Sequence, residues 1–198
     1  MKKTLDVWTY SMDNTTTTAF ITLTLSSKWL KNENYEGYVK KFIQTVRYKV
    51  GGFNYVWKSE LQKNGNIHYH ILTDKIIDWR IVRAVWNRIQ KKHVDYYQIK
   101  MKEKYKKGYY FDTKMTNQKN EIVEEEIQKK RYLYGKKCNW RNPNSTDIKI
   151  VAGIEQLGAY INKYLTKDVE ENNEMPPEKN TPIKRYWGKN QERIYDSI

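Results

Sequence analysis

Cysteine, proline and long apolar runs are scarce in this 198-residue chain. Its one cysteine, Cys138, cannot form an intramolecular disulfide and has no partners at the spacing of a structural zinc site. No run of about 18 apolar residues occurs, so we expect no membrane span, and the polar residues after Met1 do not resemble a secretory signal. These absences predict an intracellular protein that does not use a membrane.

Positive charge dominates the composition. The chain has 37 Lys and Arg against 23 Asp and Glu, which leaves a formal net charge of +14. Such an excess predicts a polyanionic partner, with nucleic acid ahead of an anionic membrane surface. Only 38% of the residues are hydrophobic, but 17 Tyr and 7 Trp can build one core and also offer stacking faces for bases. The length fits one domain with an appended segment.

Residue patterning predicts alternating strands and helices. Period-two alternation indicates strands, and apolar residues three and four apart indicate amphipathic helices. In chain order the predicted elements are a strand at 19–25, a helix from Tyr35 that ends at Gly51-Gly52, strands at 53–61 and 66–73, a helix that Asp78 caps and that carries Trp79, Val82, Val85, Trp86 and Ile89 on one stripe, strands at 94–101 and 147–151, and a helix from Gly153.

The register of one hairpin decides which side chains share a face. The two strands flank Lys63-Asn64-Gly65. A two-residue turn would pair Leu61 with His68, whereas a three-residue loop that ends in a left-handed Gly65 would pair Glu60 with His68. The longer loop is favoured because it sorts apolar from polar side chains. Its apolar face carries Phe53, Tyr55, Trp57, Leu61, Ile67, Tyr69 and Ile71, and its other face carries Glu60, His68 and His70.

The two histidines and Glu60 form a candidate metal site. His68 and His70 project from the same face of one strand at about 7 Å spacing, which allows both to bind one ion. Glu60 is the expected third ligand and leaves open positions for water and a phosphate oxygen. A His-x-His pair by itself is more often a local hydrogen-bonding arrangement. Magnesium prefers oxygen ligands, so two imidazoles make Mn²⁺ a good competitor for Mg²⁺.

A doubled Tyr-x-x-Lys motif, Tyr160-x-x-Lys163-Tyr164-x-x-Lys167, supplies candidate catalytic residues. A tyrosine hydroxyl with a pKa near 10 is a poor nucleophile at neutral pH and needs a nearby cation or a polarised electrophile. The two lysines can provide charge and can neutralise a phosphate. The alternative is that both tyrosines pack a helix against a sheet while the lysines stay in water.

Taken together, the motifs resemble the HUH endonuclease family, the rolling-circle replication initiators of small phages, plasmids and single-stranded DNA viruses. The resemblance covers roughly 19–167 and rests on Phe20–Leu25, His68-Tyr69-His70 and the doubled Tyr-x-x-Lys motif, in that order. Arg185-Tyr186-Trp187-Gly188 is similar to a basic aromatic element that follows the tyrosine helix in phage initiators. No Gly-x-x-x-x-Gly-Lys-Ser/Thr helicase motif is present.

The resemblance implies an α+β fold, a ferredoxin-like or RRM-like palm with an antiparallel sheet of about five strands and a tyrosine helix against its metal face. It maps the metal carboxylate to Glu60, with Asp74 and Glu155 as weaker substitutes, and the nucleophiles to Tyr160 and Tyr164. It places the endonuclease domain at 1–170, with an irregular insertion at about 102–146, and a basic aromatic arm at 171–198.

The activity implied is nicking and joining of single-stranded DNA at an origin hairpin through a 5′-phosphotyrosine, with a host helicase and polymerase as partners. The protein would act in the host cytoplasm, or in the nucleus of a eukaryotic host; the sequence leaves the oligomeric state open. A transposase or relaxase of a mobile element would use the same chemistry. A non-catalytic RRM-like nucleic-acid-binding module is the alternative from another class.

Overall fold

A computed structural model describes residues 17–26, 35–62, 65–117, 120–152 and 187–190. It contains five strands and four helices within these ranges. They are β1 (Thr17–Leu25), α1 (Tyr35–Val50), β2 (Tyr55–Leu61), β3 (Ile67–Thr73), α2 (Trp79–Ile89), α3 (Lys91–Lys104), α4 (Glu125–Lys137), β4 (Thr146–Ala152) and β5 (Trp187–Asn190).

The strands form one antiparallel sheet in the order β4-β1-β3-β2-β5. The first six elements of the sheet unit follow one another as β1-α1-β2-β3-α2-β4, with β1 and β3 at the centre. This is the connectivity and strand order of a ferredoxin-like palm. The predicted α+β class, the palm and its five strands are confirmed.

One face of the sheet forms the core with α1 and α2. Alternate residues of each central strand point to this face, and the apolar stripes of both helices pack against them. The buried residues are Ile21, Leu23, Leu25, Trp57, Ile67, Tyr69 and Ile71 from the strands and Val39, Phe42, Ile43, Val46, Val82, Val85 and Trp86 from the helices. The predicted stripe of α2 is wrong at its first residue, because Trp79 remains 50% exposed.

The helix ends agree with the sequence signals. Gly51, with φ 85°, follows α1 and its amide donates to the Arg47 carbonyl, which closes the helix in the left-handed conformation that glycine tolerates. The Asp78 carboxylate accepts a 2.7 Å hydrogen bond from the Arg80 amide and caps α2.

The hairpin of β2 and β3 adopts the predicted three-residue register. Glu60 lies opposite His68, Lys58 lies opposite His70, and Gly65 has φ 79°. Leu61 was expected on the buried face but is 42% exposed, since it is the last residue of β2 and lies at the end of the core.

A second compact unit comprises Gln90–Asn144. The strand predicted at 94–101 is wrong, because these residues belong to α3. Val94, Tyr97 and Met101 are the more buried residues there, at spacings of three and four, so the helical period outweighed a short local alternation. The segment predicted as irregular contains α4 and an isolated bridge between Thr116 and Ile122.

An aromatic cluster holds this second unit together. The rings of Tyr105 and Trp140 stack at 5.1 Å between centroids with planes 9° apart, and Tyr132 contacts both. Gln128 is buried on α4 and donates to the carbonyls of Asp112 and Val123. The unit therefore has its own packed interior.

Adding one methyl group at Gly135 should destabilise this unit. A Cβ at Gly135 would lie 1.8 Å from the Trp140 ring, so the ring would have to leave its stack on Tyr105. We expect Gly135→Ala to lower the free energy of unfolding by about 1–3 kcal/mol, although alanine favours helix. Thermal unfolding measures it, with Lys136→Ala as the control; equal stability of the two variants would show that Trp140 is not packed on Gly135.

Four residues of the predicted C-terminal arm take part in the sheet. β5 pairs with β2 along Tyr55–Lys58 and adds an edge strand, whereas the sequence predicted an arm without regular structure. The other residues of 171–198 lie outside the described residues. No helix among the described residues is both long enough and apolar enough to span a bilayer.

Candidate metal centre

The second face of the sheet carries the candidate metal ligands. His68 and His70 are two residues apart on β3 and therefore point to the same face. Glu60 lies directly opposite His68 on β2, so the hairpin register brings the carboxylate beside both imidazoles. The face that holds these residues is the one away from α1 and α2.

The three side chains are close enough to bind one ion. His70 Nε2 and Glu60 Oε2 are 3.0 Å apart, and one ligand atom from each residue lies within 4.8 Å of the others. Ligands around an ion with bonds of about 2.1 Å are roughly 3 Å apart, so a small rotation of a side chain completes the set. The Glu60 side chain is 54% exposed and can make that rotation. Two imidazoles and a carboxylate fit a divalent metal.

His70 is held in place from two sides. Its Nδ1 lies 3.3 Å from Thr22 Oγ1, and its ring stacks on Phe20 at 5.6 Å with planes 22° apart. The residue is only 3% exposed. With Nδ1 donating to Thr22, Nε2 turns its lone pair toward the Glu60 carboxylate, and a cation between the two atoms satisfies both.

The protonation of His68 also suits a ligand. Burial lowers the pKa of His68, and the neighbouring His70 lowers it further, while the Glu60 carboxylate opposes both effects. The net direction is downward from the ordinary value, so the imidazole stays neutral at neutral pH. A neutral imidazole keeps the lone pair that a metal requires.

The Thr22 hydroxyl should tune metal affinity without touching the metal. Thr22→Val keeps the shape of the side chain but removes the hydroxyl beside His70 Nδ1, so the ring loses its orienting partner. We expect Mn²⁺ affinity to fall by about 10–100-fold, as is typical for such partners. Isothermal titration with Mn²⁺ measures this. Thr24→Val is the matched control on the same strand and face, opposite His68, and an equal loss in both variants would contradict the role of Thr22.

The structure brings together only some of the residues that the sequence predicted. Glu60, His68 and His70 meet, whereas Tyr160, Lys163, Tyr164 and Lys167 lie outside the described residues, and so does Glu155. The substitute ligand Asp74 is engaged elsewhere: its carboxylate accepts hydrogen bonds from the backbone and side-chain nitrogens of Asn54, both at 2.8 Å. Glu60 is therefore the acidic member of the cluster.

Thr22 and Phe20 were missed as supports of the site. Both belong to β1, whose pairing with β3 places Thr22 beside His70. The strand pattern predicted that Phe20, Thr22 and Thr24 share a face, but it did not say which strand would lie beside them. The register between β1 and β3 was the absent information.

A comparison with protein families identifies the chain. The model of the family described as replication-associated protein ORF2 matches residues 18–169, which include the metal cluster and the doubled Tyr-x-x-Lys motif. Comparisons with the curated proteins and with the solved structures gave no significant match. The matched range covers well over half of the chain, and the chain therefore belongs to this family of replication-associated proteins.

Proposed function

We propose that this protein nicks and rejoins single-stranded DNA through a 5′-phosphotyrosine intermediate and thereby initiates rolling-circle replication. The observation that carries the proposal is the cluster of Glu60, His68 and His70 on the central hairpin of a replication-associated protein. Membership of a replication family favours an initiator over a relaxase or transposase with the same chemistry.

The metal cluster supplies the electrophile side of this reaction. Glu60, His68 and His70 would hold Mn²⁺ or Mg²⁺, and the bound ion would polarise a non-bridging oxygen of the scissile phosphate. The protein groups around it set the site before DNA arrives: Phe20 and Thr22 fix the ring of His70, and burial keeps His68 neutral. Three protein ligands leave positions for the DNA.

Tyr160 is the proposed nucleophile. Its Oη forms a bond to phosphorus in line with the bond to the 3′ oxygen, which breaks, and the tyrosine proton leaves to solvent or a base. The products are a 5′-phosphotyrosine and a free 3′-hydroxyl that a host polymerase can extend. The phosphotyrosine bond keeps the reactivity needed for rejoining, so no nucleotide cofactor is required.

The neighbouring residues of the motif have supporting roles in this proposal. Lys163 and Lys167 would position and neutralise phosphates. Tyr164 would attack at the second cleavage while the first DNA end is still held. A host helicase would unwind the duplex, because the chain contains no Gly-x-x-x-x-Gly-Lys-Ser/Thr motif.

The direct test is adduct formation on single-stranded oligonucleotides that carry candidate origin hairpins. With Mn²⁺ present, we expect a covalent protein–DNA species that survives denaturing electrophoresis, together with a product that ends in a 3′-hydroxyl. A chelator should abolish both. Binding without cleavage across all candidate origins and both metals would instead favour a non-catalytic RRM-like binding module.

A further inference from the structure

We propose that the protein has a second phosphate-binding site, in a cleft on the helix layer, which takes a backbone phosphate of DNA away from the scissile bond. The identification of the polyanion as DNA rests on the proposed function. The site itself rests on a different observation, the convergence of three cationic side chains on one cavity.

The cleft lies between α1 and α2 and has a volume of about 220 Å³. Lys49 reaches it from α1, and Arg80 and Arg88 reach it from α2. The remaining lining residues, which are small or apolar, are Ile81, Ala84 and Val85. Among the described residues no carboxylate lines the cleft, so three positive charges share a small space and an anion between them would relieve their repulsion.

Helix stability does not account for all three cations. Lys49 and Arg88 lie in the last turns of their helices, where a cation is favourable. Arg80 lies in the first turn of α2, where the helix dipole disfavours a positive charge. The Arg80 Nε is 4.0 Å from the Asp78 carboxylate, which offsets this only in part because both side chains are exposed. A bound phosphate explains the position of Arg80.

An exposed aromatic side chain borders the cationic surface. Trp79 is 50% exposed, with the Arg83 guanidinium carbon 4.2 Å and that of Arg80 5.6 Å from its ring. Arginine next to an exposed indole is a common arrangement on surfaces that bind nucleic acid, where it contacts phosphates and bases together. A site for free inorganic phosphate has no use for the ring. This favours a DNA phosphate over a small anion.

The cleft and the metal centre lie on opposite sides of the sheet. α1 and α2 pack on the apolar face, and Glu60, His68 and His70 occupy the other. One DNA molecule can contact both places only by passing around an edge of the sheet, so the phosphate in the cleft is several nucleotides from the scissile one. Binding at the cleft should therefore depend on the length of the DNA.

The test compares Lys49→Gln/Arg88→Gln with the control Lys41→Gln/Lys114→Gln, which removes the same charge at exposed sites outside the cleft. Affinity for a long single strand is measured against salt in a chelator, so that the result does not depend on nicking. Each lost phosphate contact should reduce the magnitude of the log–log salt slope by about 0.7, and the pair by about 1.4. The control should change it less.

DNA length and a small anion separate the remaining possibilities. An oligonucleotide of about eight nucleotides, close to the site size of one single-strand-binding fold, should bind the double variant as it binds the unmodified protein. Equal losses in the double variant and the control, or an equal loss on short and long DNA, would overturn the proposal. So would saturation of the cleft by inorganic phosphate that long DNA does not displace. Arg80→Gln repeats the test if the double variant does not fold.

Discussion

Replacing Tyr160 with phenylalanine is expected to abolish the covalent protein–DNA adduct. The substitution removes one oxygen atom, and without that oxygen no phosphotyrosine bond can form at this position. Loss of a nucleophile commonly costs a factor of about 10³ or more in rate, so cleavage should fall below detection in a denaturing gel assay. Binding of the same oligonucleotide should persist, because the basic surface and the metal ligands are unchanged.

Tyr164→Phe is the matched control for this experiment. Tyr164 lies one helical turn beyond Tyr160 in the predicted helix and is followed by its own lysine at the same spacing. The single-cleavage adduct should survive this change, while transfer of a second strand should be lost if both tyrosines act. A normal adduct in Tyr160→Phe that disappears in Tyr164→Phe would move the first nucleophile to Tyr164.

The metal cluster could be predicted from sequence because a two-residue period and one loop length determine it. A three-residue loop before Ile67 puts Glu60 opposite His68, and any shift by one residue would have mixed polar groups into the apolar face. The cost of burying charge therefore selected the register before any long-range contact was known. The same reasoning explains why β1 and α1 were predicted at nearly their observed bounds.

Features that depend on non-local pairing could not be predicted in this way. The place of β5 beside β2 requires knowing which edge of the sheet is open, and nothing in the four residues Trp187–Asn190 specifies it. The support of His70 by Thr22 depends on the pairing of β1 with β3, whose residues are 48 positions apart. α3 was mistaken for a strand because a few alternating residues satisfy both periods over a short segment.

The sequence predicted the ligands of the site but not how unequal their surroundings are. His70 is almost fully buried, whereas the Glu60 side chain is half exposed. A buried ligand is oriented by its neighbours and loses its position when they change, while an exposed ligand can swing toward or away from an ion at little cost. His70 should therefore dominate metal affinity, and Glu60 should adjust the coordination when DNA binds.

This inequality leads to the second large effect, which is expected for His70→Gln. Glutamine is of similar size and can keep a polar contact with Thr22, but it lacks the imidazole nitrogen that faces Glu60. Mn²⁺ affinity should fall by more than the roughly 10–100-fold that loss of an orienting partner costs, and adduct formation should disappear with it. Titration with Mn²⁺ and the adduct assay measure the two consequences separately.

Glu60→Gln and Lys58→Gln complete the series. Glu60→Gln removes a charged ligand from an exposed position and should weaken the metal less than His70→Gln does. Lys58→Gln alters the residue opposite His70 on β2 without removing a ligand, so metal affinity should be nearly unchanged. Since His70 is buried, thermal unfolding of His70→Gln in a chelator tests whether the fold survives. If folded His70→Gln and Glu60→Gln both bind Mn²⁺ as tightly as the unmodified protein, the ion is bound elsewhere and the hairpin is not the metal centre.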